Sequence, residues 1–296
     1  MEKIINITVN GETDGKRIKD LLTYTLRLSG NNIKKLKFHG KILKNGENAA
    51  VRDELSVGDK ITLVFPDERS ESIVPSDIPI EVIYEDDDVL AVNKSSAMPT
   101  HPSAGHRDDT LANAVMYRYG GSFVFRPITR LDGDTTGTVL IAKNAASGSR
   151  LCADIAAGKL HKSYIALCVG VPKESSGTID APIGRADGSI IKHVIREDGA
   201  SAVTKYEVIS QSQSGAYSLI RAYPITGRTH QIRIHLASIG CPIYGDFLYG
   251  EEIPGVRTLL HCESVTFPHP SDGHPVKVTS EIPPDMRKMT VKLNLA

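Results

Sequence analysis

The chain has 296 residues, 40% of them hydrophobic and 24% charged, enough to bury an ordinary core and a smaller second one. Thirty-five Lys and Arg balance thirty-five Asp and Glu, which excludes binding of nucleic acid through bulk positive charge alone. No apolar run approaches the roughly 18 residues of a membrane span, and the start, Met-Glu-Lys-Ile-Ile-Asn, lacks a secretory signal, so the cytosol is the expected compartment.

Charge is unevenly spread. Residues 1–65 hold 12 basic and 8 acidic positions, 66–100 hold 2 and 9, and 101–296 hold 21 and 18. In the first segment Ile18, Leu21, Leu22 and Thr25 recur at helical spacing after Thr13-Asp14-Gly15. A second helix is expected from Asn31 or Asn32 through Leu36, with Lys34, Lys35 and Lys37 on its polar side. Gly40 to Gly46 reads as a hairpin built on Asn-Gly, and Ile61 to Phe65 as a strand. The polar, proline-bounded stretch that follows Pro66 reads as a linker over residues 67–77.

Beyond it, strand-like runs fall at Ile80–Tyr84, Val89–Asn93, Thr138–Ala142, Ser163–Val169, Val203–Ile209, Tyr217–Tyr223 and Val276–Ser280. Helices are expected at Thr110–Tyr119, at Ala145–Ala157 with Gly158 as stop, and at Thr229–Ile239 with Gly240 as stop. The order is too irregular for a doubly wound βαβ series, so an α+β fold around a largely antiparallel mixed sheet with flanking helices is expected. Cys152, Cys168, Cys241 and Cys262 form no C-x-x-C pair and read as reduced core thiols. His230 and His235 are five apart, which does not put two imidazoles on one helical face, and no metal site is expected.

Two segments carry chemistry. In Arg130-Leu131-Asp132-Gly133-Asp134-Thr135-Thr136-Gly137 a carboxylate follows an arginine by two residues, in a loop of small and hydroxylated residues before an apolar strand. Such a loop is either a rigidly mounted reactive group or an exposed Asp-Gly turn with a surface ion pair. In Thr226-Gly227-Arg228-Thr229-His230-Gln231-Ile232-Arg233-Ile234-His235, Thr226 or Thr229 is expected to cap a helix that turns Arg233 partly inward, toward Asp132 or Asp134 as its anion.

Together, in this order, these segments resemble the RluA-type family of pseudouridine synthases. The family pattern Arg-Leu-Asp, two variable residues, a hydroxylated residue, Gly and a strand ending in Ala-Lys is met from Arg130 to Lys143, and the basic helix pattern from Thr226 to His235. Pro242-Ile243-Tyr244-Gly245-Asp246 continues the second segment; Tyr84 to Asp88 through His101-Pro102, Lys162-Ser163-Tyr164, and Leu260-His261 through His269-Pro270 are weaker similarities at the expected intervals. The chain departs from the pattern at Thr129, where the family has histidine, at Thr136 for serine, and at Lys94-Ser95-Ser96 for Lys-Pro.

The resemblance covers about residues 78–290 and implies the pseudouridine synthase fold, with residues 78–296 as catalytic domain and 1–66 as a small α/β RNA-binding module of the alpha-L type. It implies isomerisation of uridine to pseudouridine on a flipped-out nucleotide, without cofactor or metal. Asp132 is then the nucleophile, Arg233 its partner and Tyr164 the residue against the base. Arg130, Arg228, His230 and Gln231, with Lys34, Lys35 and Lys37 of the module, are the implied RNA contacts. The implied substrate is ribosomal RNA first and transfer RNA second, handled by a monomer. An RNA-binding or ribosome assembly factor without catalysis is the alternative, against which an otherwise unneeded carboxylate at Asp132 argues.

Overall fold

A computed structural model describes residues 3–66 and 72–295. In the first part, strands β1 (Lys3–Thr8), β2 (Lys41–Lys44), β3 (Glu47–Asn48) and β4 (Lys60–Phe65) form an antiparallel sheet in the order β1-β4-β2-β3. The β2–β3 turn is the expected Asn45-Gly46, both at positive φ (54° and 88°), as a tight hairpin turn of matching twist requires. Ile61, Leu63 and Phe65 alternate inward from β4 onto Ile18, Leu21, Leu22 and Leu36. The first expected helix is only α1 (Ile18–Asp20), which widens into a π-helical turn over Leu21–Thr25. The second is α2 (Gly30–His39), and its N-cap is Ser29, whose side chain accepts the Asn32 N–H, rather than Asn31 or Asn32.

Residues 67–71 of the expected linker lie outside the described residues, whereas 72–77 form no regular element and are tied down by Asn113, whose Nδ2 donates to the Val74 carbonyl at 2.7 Å. The second part begins with β5 (Glu81–Glu85), β6 (Val89–Lys94), α3 (Leu111–Arg118), β7 (Thr136–Ala142) and α4 (Ala145–Ala156). It continues through β8 (His161–Val169), β9 (Ser176–Asp180), the small hairpin β10 (Ile183–Arg185) and β11 (His193–Ile195), β12 (Val203–Gln211) and β13 (Tyr217–Pro224). It ends with α5 (Gln231–Ser238), β14 (Leu260–Pro268), β15 (Pro275–Thr279) and α6 (Pro284–Lys292). The main sheet runs β5-β6-β7-β14-β8-β13-β12-β9, with β15 paired to β14. Its pairs are antiparallel except β7–β14, which is parallel at His261–Thr136 and Cys262–Gly137. This is the α+β architecture with a mixed, largely antiparallel sheet that the sequence implied.

Every residue of β7 is buried, so the strand that follows the Asp132 loop is covered on both faces. Gly137 sits where β7 meets β14: at φ 112° it has a conformation that L side chains rarely adopt, and a Cβ there would lie 2.3 Å from the Cys262 carbonyl oxygen. The two parts touch through α2 and α4. Asn32 Nδ2 donates to the Ala145 carbonyl at 2.9 Å, Arg27 pairs with buried Asp154 at 3.0 Å and Lys3 with buried Asp88 at 2.8 Å, and Ala146 of α4 joins the core of the first sheet. Of the four cysteines, Cys168, Cys241 and Cys262 are buried as expected, but Cys152 lies exposed on α4. Among the described residues no helix is long and apolar enough to cross a membrane.

Candidate active site

The Asp132 loop is anchored from below. Buried Leu131 plugs the core, and its backbone is held at both ends by Thr100, whose Oγ1 donates to the Leu131 carbonyl at 2.9 Å and accepts its N–H at 3.3 Å. Lys94, 1% exposed at the end of β6, donates to the carbonyls of Ser95, Met98 and Gly133 at 2.7 to 2.9 Å. Three carbonyls match the three N–H groups of an ammonium, while burial pulls the Lys94 pKa down to about 7 against the nearby carboxylates of Asp132 and Asp134. The Lys94 bonds fasten the segment that lacks the family proline. Arg257 Nη1 donates to the Asp134 carbonyl at 3.2 Å, and the Thr129 hydroxyl accepts the Leu140 N–H at 2.9 Å, so the threonine in place of histidine has a local backbone partner.

With its neighbours fixed, Asp132 projects from the loop with a third of its side chain exposed, and one oxygen lies 3.4 Å from Arg233 Nη1 and 3.9 Å from His230 Nε2. Arg233 does point inward, but Asp132 is its second partner. Its Nε and Nη2 form a bidentate pair with Asp246 at 2.7 Å each, and Asp246 is wholly buried. Asp246 also accepts the N–H groups of Leu248 and Tyr249. Burial works against both charges, yet their mutual bonds win, holding the Asp246 carboxyl below its ordinary range and the guanidinium above its own. The remaining arm, Nη1, is thereby fixed toward Asp132. The Arg233 guanidinium also lies over the Tyr249 ring, 5.1 Å from its centroid. Asp134, the other anion expected for Arg233, instead meets Arg257 through its backbone carbonyl.

Neither Thr226 nor Thr229 caps α5. The N-cap is His230 in a left-handed conformation at φ 56°, which turns its ring toward Asp132 and lets Nδ1 meet the Tyr249 hydroxyl at 2.9 Å. Burial lowers the His230 pKa, with Asp132 pulling the other way. Gln231 is buried: its Nε2 donates to the Val203 carbonyl and Thr204 Oγ1, and its Oε1 accepts from Thr226 and the Arg228 N–H. That corrects the expected RNA contact at Gln231, because both ends of the amide are spent in shaping the 226–228 loop. Tyr164, 6% exposed on β8, faces the same region, and its pKa is raised well above the ordinary value by burial, by adjacent Cys262 and by Asp132.

Of the other expected contacts, Arg130 and Arg228 are exposed, Arg228 while donating from Nε to the Ser201 carbonyl at 3.0 Å. Lys34, Lys35 and Lys37 are exposed on α2. Lys35 lines a cavity of about 190 Å³ between the two parts, together with Lys3, Phe65, Arg126 and Lys143. Among the described residues one group of side chains has metal-ligand potential: His269, Asp272 and His274 each place a ligand atom within 4.8 Å of the others. It lies in the β14–β15 turn, where His274 Nδ1 meets Asp272 at 2.6 Å and His269 Nε2 meets Asp86 at 2.8 Å. Asp86 precedes β6 and Lys94 ends it, so this cluster is at the far end of that strand from the Asp132 loop.

A carboxylate backed by a locked guanidinium, with a buried phenol and an imidazole beside it, is an arrangement chemically suited to nucleophilic or acid–base work. The model of the RNA pseudouridylate synthase family matches residues 88–238, which include Asp132, Tyr164 and Arg233. A ribosomal large subunit pseudouridine synthase D of Xanthomonas campestris is 35% identical over 268 residues, covering 84% of this chain and 80% of that protein. An uncharacterized RNA pseudouridine synthase of Bacillus subtilis is 32% identical over 298 residues, covering 98% of each. Human RNA pseudouridylate synthase domain containing 4 shares the fold, with a TM-score of 0.59 at 23% identity over 73% of this chain and 94% of that one. The chain belongs to the RNA pseudouridine synthase family. Its activity is the isomerisation of uridine in RNA to pseudouridine.

Proposed function

We propose that the substrate is ribosomal RNA and that Asp132 carries the chemistry. The observation that bears most weight is the Asp246–Arg233–Asp132 chain, in which a buried bidentate pair aims one free guanidinium arm at a carboxylate left open to solvent. Isomerisation breaks the bond between N1 and the ribose, turns the uracil and joins C5 to the same carbon; a proton leaves C5 and one is gained at N1. Asp132 acts on the ribose or on the base, or assists in moving a sugar proton. In each case it must be ionised, and Arg233 favours that state. Tyr164 lies against the base and is placed to move a proton, its hydroxyl being kept protonated by burial.

Uridine in stacked RNA hides its glycosidic bond, so it must be turned out of the stack, at a cost of a few kcal/mol that is least in a loop or bulge. Exposed Arg130, two residues from Asp132, fills the vacated place by stacking or by phosphate contact. Residues 1–66 serve as an RNA-binding module through Lys34 and Lys37 of α2, and 67–77 connect it to the catalytic domain 78–296. The Xanthomonas relative's name supports ribosomal RNA as target. Mapping pseudouridine in ribosomal RNA from cells with and without the gene tests this. A site that disappears and returns with the wild-type gene, but not with Asp132→Asn, is expected; an unchanged ribosomal RNA map would move the substrate elsewhere.

A further inference from the structure

Lys162 is the second residue of β8 and stands two positions before Tyr164, so both side chains project from the same face of the strand, about 7 Å apart along it. Its stem is partly buried, and it has no ion pair or hydrogen bond among the described residues. Lys162 lines an open cavity together with Arg221, Glu263 and Lys277, and two further groups lie near its ammonium. One is the Cys262 thiol, beside the Tyr164 hydroxyl, and the other is Gly227, whose missing Cβ would lie 3.7 Å from Lys162 Nζ. The other enclosed cations of this region are engaged: Lys94 by three carbonyls, Arg233 by two carboxylates and Arg257 by Asp285 and several carbonyls. A partly desolvated ammonium without an acceptor is costly, and burial accordingly lowers its pKa. The loop it faces, Thr226 to His230, carries exposed Arg228 on one side and turns His230 toward Asp132 on the other.

We propose that Lys162 is a phosphate-binding residue: its ammonium and the side-chain-free face of Gly227 receive the phosphodiester next to the uridine held against Tyr164 and Asp132. The inference rests on the catalytic placement of Asp132 and Tyr164 given above. The spacing fits, because a nucleotide whose ribose lies at Asp132 must place a flanking phosphate within one nucleotide's reach of it. Glycine at 227 keeps the approach clear, and Arg228 next to it extends the positive lining toward solvent. Lys162 thus secures the strand on which the target sits, while the reacting atoms are left to Asp132, Arg233 and Tyr164.

The test is a double-mutant cycle on the full-length protein with fluorescein-labelled RNA hairpins that carry one loop uridine. In each hairpin a single phosphate, 5′ or 3′ of the uridine, is replaced by an uncharged methylphosphonate. Wild-type binding should weaken about tenfold on neutralising one of the two linkages, and Lys162→Gln should weaken binding of unmodified RNA to the same extent, with no further loss on the neutralised one. Lys162→Gln should also reduce the slope of log affinity against log salt by about 0.7, the value for one phosphate contact on a single strand. Lys162→Arg should restore both, and kcat at saturating RNA should stay near wild type in both variants. Losses that multiply across the cycle, or an unchanged salt slope in a folded Lys162→Gln protein, overturn the proposal. Isomerisation of uridine in total RNA by Asp132→Asn is followed in parallel: retained turnover in that variant counts against the placement of the catalytic residues, whereas its loss together with multiplying losses in the cycle counts against Lys162 alone.

Discussion

Replacing Asp246 by Asn should separate the aiming of Arg233 from the chemistry proposed for Asp132. Asp246 is fully buried and Arg233 nearly so, with two bonds of 2.7 Å between them. Asn keeps the shape but turns one acceptor into a donor that faces the guanidinium, leaving a buried charge half compensated. Breaking a buried pair from one side costs about 3–5 kcal/mol, so urea unfolding followed by circular dichroism should show a loss of that size. Arg233 then loses its fixed orientation toward Asp132, and misplacement of a catalytic group by an ångström costs on the order of 10²-fold in rate. Asp132→Asn should behave oppositely: long contacts of 3.4 Å to Arg233 and 3.9 Å to His230 on a one-third exposed carboxylate make the stability change less than about 1 kcal/mol, with turnover abolished. Stability and kcat measured on both variants decide the matter. An Asp246→Asn protein as stable and as fast as wild type would refute the claim that this pair aims Arg233.

Three further outcomes are expected. Tyr164→Phe keeps the ring and removes the hydroxyl, so kcat should fall about 10²-fold while RNA affinity is retained; wild-type kcat would leave the tyrosine a packing role only. Gly137→Ala must fit a methyl 2.3 Å from the Cys262 carbonyl oxygen at φ 112°, so it should destabilise by about 3 kcal/mol or more, measured by thermal unfolding. The Glu85 carboxyl is held at about 2 because bonds from Tyr119, Arg118 and Lys143 outweigh its partial burial. Its folded-state pKa is depressed, so the stability it contributes is present above pH 4.5 and is lost as pH falls through about 2; because Glu85 is exposed, solvent screening holds that contribution to about 1 kcal/mol. Glu85→Gln should therefore lower stability at pH 7 and flatten its decline between pH 4.5 and 2, and an unchanged acid limb would contradict the assignment.

How far the sequence reached depended on what each residue's neighbours were. Asp132 and Arg233 stood in recognisable segments, and their approach to 3.4 Å agrees with the inward arginine expected from the spacing on α5. Asp246 was in view as the end of the Pro242 to Asp246 stretch, but nothing local tells that a carboxylate 13 positions on will grip the arginine; that depends on the turn after α5. The left-handed backbone of His230 has no signature in a non-glycine residue, so the sequence points to threonine as the cap instead. Strand β14 was not expected because burial on both faces, over Leu260 to Val265 in particular, erases the alternation that marks a half-exposed strand. Neither β1 nor α6 is among the elements expected from the sequence, although β1 alternates along its length and Pro284 stands in the first turn of α6.

The place of β14 bears on how the enzyme comes into being. Residues 260–268 separate β7 from β8, so the main sheet consists of two halves that have no edge in common until a segment from the last eighth of the chain slides between them. During synthesis the Asp132 loop and the Tyr164 strand leave the ribosome about a hundred residues before the piece that joins them. The Asp132 loop and the Tyr164 strand are therefore joined in one sheet only once residues 260–268 are in place.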